Sequence, residues 1–213
     1  DETIGFVHRT RTRLEEGWLL EYEMLLLLEL LGEKRPIETA VKARLDSAAF
    51  LQSFDAEIRA AGRRITARGE VDRRRLTLTL NPDSEPTRRT IELRDRPRLT
   101  ASSFNQLLGR RNLTVGQTFE NRYFDPMSLG MKTIAMEYVG REKVDVFGDK
   151  KPAIHLRQKV SGETYDVYVD EQGEVLVQEF PMEIVGARVS PQLGRSRASS
   201  IRRKMRDARG SSE

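Results

Sequence analysis

The chain has 213 residues, 33% charged and 38% hydrophobic, with no cysteine. This composition excludes a disordered chain, suits one or two domains with a buried core, and rules out disulfides, thiol nucleophiles and Cys-ligated zinc. The net charge of +4 is uneven: between Arg195 and Glu213, seven basic residues face only Asp207 and Glu213, so the body is near neutral and excludes a basic nucleic-acid-binding domain.

Gly5 to Leu14 predicts a first strand, with Phe6, His8, Thr10 and Thr12 on one face and Val7, Arg9, Arg11 and Arg13 on the other. Gly17 turns the chain. Trp18, Leu20, Tyr22, Met24, Leu26, Leu28 and Leu30 then occupy every even position. Leu, Glu and Met are good helix formers, but seven apolar even positions in a row fit a period of two better than 3.6. Glu21, Glu23 and Glu29 argue against a membrane span.

The alternation continues over Ile37–Leu45, Phe50–Ile58 (with Phe50, Gln52 and Phe54 on one face), Ile65–Val71, Leu76–Leu80 and Ile91–Leu93. Strands joined by short turns, with no room for helical crossovers, predict an antiparallel meander. Pro97 interrupts it. Ser102 and Ser103 would cap a short helix near residues 101–109, over Phe104, Leu107 and Leu108.

Phe119–Phe124 predicts a short strand, Lys132–Val146 one long bent strand or a hairpin about Gly140, and Ile154–Val160 another strand. Thr164–Phe180 is the most legible hairpin, turning at Asp170-Glu171-Gln172-Gly173. Met182–Val189 predicts a last edge strand. The fold class expected is mainly β: a strongly curved, half-barrel-like antiparallel meander over residues 1–190, followed by a basic, flexible or short-helical tail over 191–213. A short tail helix would use Ile201, Met205 and Ala208.

No phosphate loop, HExxH, GxSxG or metal-ligand spacing is present. His8 and His155 alternate with basic residues and read as exposed strand histidines. Asp55, Glu57, Glu70 and Asp72 lie among Arg59, Arg68 and Arg73, which predicts cross-strand ion pairs and not acid–base catalysis. The expectation is no enzymatic activity, no cofactor, no metal and no nucleic-acid partner.

What remains is apolar surface. Leucine on both faces from 25 to 28 exceeds what one core needs, so either the 101–109 helix covers the second face or the sheet holds a ligand. The candidate binding residues are Trp18, Leu20, Tyr22, Met24, Leu26 and Leu28, with a lipid, an acyl chain or another envelope protein as partner. Arg202, Arg203, Lys204 and Arg206 are candidate contacts to an anionic membrane surface.

IGFVH near the start, RPIETAVKARLD, FLQSFDAEIRAAGRRITARGEV, RYFDPMSL and YDVYVDEQGEVLVQEFP together span residues 4 to 189. In these pieces the chain resembles the exported β-rich domain that precedes the catalytic domain of bacterial transglutaminase-like proteins. In outline it is similar to periplasmic LolA-like lipoprotein carriers. The resemblance implies a non-catalytic module, periplasmic or membrane-anchored facing the periplasm. The alternative is the substrate-recognition part of a transglutaminase-like or hydrolytic enzyme with its catalytic domain elsewhere. Since the chain begins at Asp1, the expectation is that a targeting segment preceded it.

Overall fold

The computed structural model describes residues 2–30, 32–60, 62–81, 83–99, 113–126, 128–160, 162–180 and 183–210. The short helix expected near residues 101–109 lies outside them. The chain forms two compact units: Asp1–Pro97 with Pro126–Leu129 and Ser190–Glu213, and Arg98–Asp125 with Gly130–Val189. The fold is mainly β and antiparallel, as expected.

The first unit carries seven strands: β1 (Gly5–Leu14), β2 (Gly17–Leu30), β3 (Glu33–Leu45), β4 (Leu51–Ala60), β5 (Arg63–Asp72), β6 (Arg75–Leu80) and β7 (Thr87–Glu92). They pair in sequence order as an open antiparallel meander. Among the described residues no pairing of β1 with β7 closes it into a barrel. β2 is a strand throughout and pairs with β3 from Trp18↔Leu45 to Leu30↔Glu33 without a register shift. Burial on both faces overrides the helix propensity of its leucines, because a helix would scatter the even-numbered stripe around its circumference.

Two close approaches fix this sheet. Gly17 turns β1 into β2 at φ 104°, where a Cβ would lie 2.1 Å from the Leu45 carbonyl oxygen. On β5, Gly69 leaves room for the Phe54 ring of β4: a Cβ there would stand 2.0 Å from Phe54 Cε1. Phe54 is fully buried with Leu45, Leu51, Leu76 and Leu78.

One strand departs from simple alternation. Arg44 pairs with Ser53 but Leu45 pairs with Leu51, so Gln52 is the extra residue of a β-bulge. Leu51 therefore takes the buried position that alternation assigns to Gln52, which is exposed. Asp46 holds the turn before it, its Oδ1 accepting the N–H groups of Ala48 and Phe50 at 2.9 Å each.

The second unit pairs β8 (Thr118–Asp125), β9 (Gly130–Val146), β10 (Asp149–Val160), β11 (Glu163–Val169), β12 (Val175–Phe180) and β13 (Ile184–Ala187) in a six-stranded antiparallel sheet. β9 is one long strand, bent where the pairing steps from Tyr138↔Leu156 to Gly140↔His155 and leaves Val139 unpaired. One face of this sheet buries Ile134, Met136, Tyr138, Ile154, Leu156, Val167 and Val169 as a core. The β11–β12 turn is held as read, with Asp170 Oδ1 accepting from the N–H of Gln172 at 3.0 Å and of Glu174 at 2.8 Å.

The basic tail is a structural element. Pro191–Gly210 forms α1, a 20-residue helix of the first unit. Ser190 caps it, its Oγ accepting the Leu193 N–H, and Pro191 supplies a first-turn residue with no N–H to satisfy. Gly194, Ala198, Ile201 and Met205 are buried at spacings of four, three and four, the stripe of a helix seated on a sheet. Ile201 and Met205, each 1% exposed, pack against Leu25 and Leu27 of β2, with Ala208 alongside. The second apolar face of β2 is thus covered by the C-terminal helix.

Candidate functional site

Rows of side chains across the first sheet define two surfaces. On the even-numbered face of β2, one row runs Arg11–Leu20–Ala43–Phe54–Gly69, and the next Arg9–Tyr22–Val41–Ala56–Ala67. The third runs Val7–Met24–Thr39–Ile58–Ile65. Leu20 lies in the buried part of this face, with Val41, Ala43 and Phe54. Trp18, Tyr22, Met24, Leu26 and Leu28 are half-buried. The structure therefore brings the six predicted residues onto one face and grades them from core at Leu20 to partly open at Leu28.

The open end is broader than the stripe on β2. Val7 on β1 is 54% exposed and Ile65 on β5 is 43% exposed, at the two ends of the third row. Between them Thr39 is only 2% exposed, and its Oγ1 has no hydrogen-bond partner. Sequence alternation placed Ile37, Thr39 and Ile58 on an apolar face but gave no sign that the face stays open at one end.

Trp18 is the chain's one tryptophan. The guanidinium of Arg11 lies 3.8 Å from its ring centroid and that of Arg13 4.6 Å, both in cation–π range.

Away from Leu25 and Leu27, the opposite face is polar and ion-paired. Glu21 meets Lys42 at 3.4 Å, Asp55 meets Arg68 at 2.8 Å, and Glu57 meets Arg59 at 2.5 Å and Arg64 at 2.8 Å. All of these except Arg59 line an open groove of about 530 Å³ with His8, Thr10, Ala40 and Thr66. The Arg64 hydrogen bond, opposed by burial and aided by Arg59, holds the Glu57 carboxyl below the usual range. A general acid at neutral pH needs the reverse shift, so this face is suited to ion pairing and not to proton donation.

Of the four predicted tail contacts, two turn inward: Arg202 reaches Glu23 at 2.5 Å and Lys204 reaches Glu2 at 2.6 Å. Arg203 and Arg206 are exposed. At 100° per residue Arg203 projects from the side of α1 opposite Ile201 and Met205, and Arg206 from its flank.

His155 corrects the sequence reading. It is 7% exposed, where an exposed strand histidine was expected; His8 is exposed. Its ring stacks on Tyr168 at 4.5 Å between centroids. Nδ1 lies 2.5 Å from Glu142 Oε1, and Nε2 lies 2.9 Å from Asp166 Oδ1. The second contact is close but poorly directed, and Nε2 makes no hydrogen bond. Burial, then the charges of Glu142, Asp166 and Glu179, push the Tyr168 phenol up. Both imidazole nitrogens face carboxylates beneath a tyrosine ring, which leaves no reacting atom a place to approach. We assign this cluster a structural role. The signal missed was the apolar set on its own face: Ala153 beside it on β10, Tyr168 opposite it on β11 and Val177 on β12 belong to a second buried cluster.

Among the described residues no group of three or more His, Asp or Glu side chains could hold a metal ion, and no helix is long and apolar enough to cross a membrane.

No family model and no curated protein matches the chain. Two solved structures resemble it in fold. A DUF1089 family protein from Pseudomonas aeruginosa aligns at TM-score 0.51 and 18% identity, over 89% of this chain and 94% of that one. A β-barrel-like protein of the domain of unknown function DUF1849 from Brucella abortus aligns at TM-score 0.56 and 10% identity, over 82% of this chain and 81% of that one. At these identities the likeness is one of fold.

Proposed function

We propose that the chain is a non-catalytic bacterial envelope module, and that the first unit takes an acyl chain on the even-numbered face of β2. The observation that carries this reading is the row Val7–Met24–Thr39–Ile58–Ile65, apolar except for one unpartnered hydroxyl and open at both ends. Leu26, Leu28 and Ile37 continue the surface, each only half-buried. Burying a Leu, Ile or Met side chain is worth about 1.5–3 kcal/mol, so an apolar chain laid across several of them gains affinity from the shape of the surface alone. The envelope location rests on the resemblance to exported β-rich domains.

Native mass spectrometry of protein purified from cells tests the reading. A co-purifying acyl-chain mass, lost in Leu26→Glu and Leu28→Glu variants that still fold, is the expected result. A ligand-free protein that also fails to take up added fatty acid, in wild type and variants alike, removes the proposal. A co-purifying protein displaced by the same variants would identify the surface as a protein-docking face instead.

A further inference from the structure

Thr39 is the anomaly of the apolar face. Its side chain stands in the row Val7–Met24–Thr39–Ile58–Ile65, between Ile37 and Val41 along β3. It is 2% exposed, and its Oγ1 has no hydrogen-bond partner. Leaving a buried hydroxyl unpaired costs folding free energy, and a valine would fill the same space without that cost, so packing does not account for the group. A trapped water does not account for it either. Buried waters make about three hydrogen bonds, and Met24, Ile58, Ile37 and Val41 around the hydroxyl offer no second polar group. The row carries no charged side chain, so an ionised group placed there would be desolvated without a counter-charge. What the hydroxyl lacks is a neutral polar partner that arrives with a ligand.

We propose that Thr39 selects the chain this face binds: its hydroxyl pairs with a hydroxyl carried on the tail, so the ligand class is hydroxylated fatty acids. This rests on the acyl-binding reading above and adds the ligand class to it. Two hydroxyls suit each other because each donates or accepts as the other requires. Met24, Ile37 and Ile58 are half-buried, so the Thr39 hydroxyl lies one side chain below the surface. Met24, directly across on β2, is unbranched and adaptable, and moving it aside opens the hydroxyl to a chain laid along the row. A plain acyl chain would cover the same residues and leave Oγ1 unpaired.

The test measures matched pairs of probes on the full chain by isothermal titration: oleate against ricinoleate, its 12-hydroxy counterpart, and myristate against 3-hydroxymyristate. At least one hydroxylated probe is expected to bind ~3–10-fold tighter than its parent, the scale of one net hydrogen bond. Thr39→Val, with its fold checked by circular dichroism, should abolish that gap by weakening the hydroxylated probe to the level of its parent. Thr39→Ser, which keeps the hydroxyl, should retain the preference. A purely structural Thr39 would change both members of a pair alike. No preference within either pair, or a preference that survives Thr39→Val, overturns the assignment and leaves acyl binding standing. Failure of every probe to bind removes the acyl reading and this inference together.

Discussion

Met205→Ala probes the packing of the C-terminal helix most sharply. Met205 is 1% exposed and packs with Ile201 against Leu25 and Leu27. Truncating a buried Met to Ala removes its transfer free energy and leaves a cavity, which together cost about 2–5 kcal/mol. Alanine is the best helix former, so intrinsic propensity adds nothing to that loss and offsets only a small part of it. By contrast, Arg203→Ala on the outer side of α1 should change stability by less than about 0.5 kcal/mol. Urea unfolding followed by circular dichroism measures both, at unchanged m if the unfolding remains two-state. If Met205→Ala and Arg203→Ala are equally mild, the helix does not pack on β2 as described and Leu25 and Leu27 need another cover.

Thr39→Val should be neutral or stabilising by about 1 kcal/mol in the same assay, because it replaces a buried hydroxyl without a partner by a methyl of similar shape. Gly69→Ala should destabilise by about 1–3 kcal/mol, since its Cβ would stand 2.0 Å from the Phe54 ring, and Phe54→Leu in the same chain should recover part of the loss. Burial would raise the Asp46 carboxyl, but the Phe50 N–H, Arg96 and the Ala48 N–H outweigh it and hold the group below its usual value. Its contribution is therefore complete above the unfolded value of about 3.9 and is lost as pH falls through the lower folded value. Melting temperatures from pH 6 to pH 2 should accordingly fall less steeply in Asp46→Asn, and an unchanged slope would contradict the assignment. Arg203→Gln/Arg206→Gln should weaken sedimentation with vesicles containing anionic phosphatidylglycerol while leaving neutral vesicles unaffected.

Much of the meander was legible because most strands of the first sheet have one apolar face and short turns, so period two survives in the sequence. β2 was the hard case: its leucines occupy both faces, and periodicity alone does not say what covers Leu25 and Leu27. The cover for Leu25 and Leu27 came from residues 191–210. There the apolar signal is sparse, four small or apolar positions among many arginines, and it resembles a solvated tail until the Ala198, Ile201 and Met205 spacing is set against a leucine face. Alternation failed at Gln52, where a bulge inserts a residue and shifts the facing without leaving a mark in composition. At His155 alternation held, but the face it assigns is buried, because Ala153, Tyr168 and Val177 build a second apolar cluster there. The six candidate residues on β2 were found from the sequence. Val7 and Ile65 were not, because they join the site only through cross-strand register.

Trp18 makes the central claim directly measurable, since the single indole stands on the proposed acyl-binding face. Titration with 9,10-dibromostearate, whose bromines quench nearby indoles, should quench Trp18 emission saturably and in competition with oleate, and Leu26→Glu should abolish the quenching without unfolding the protein. Saturable binding of the brominated acid with Trp18 emission unchanged, or quenching that survives Leu26→Glu undiminished, would place the acyl chain elsewhere and contradict the account.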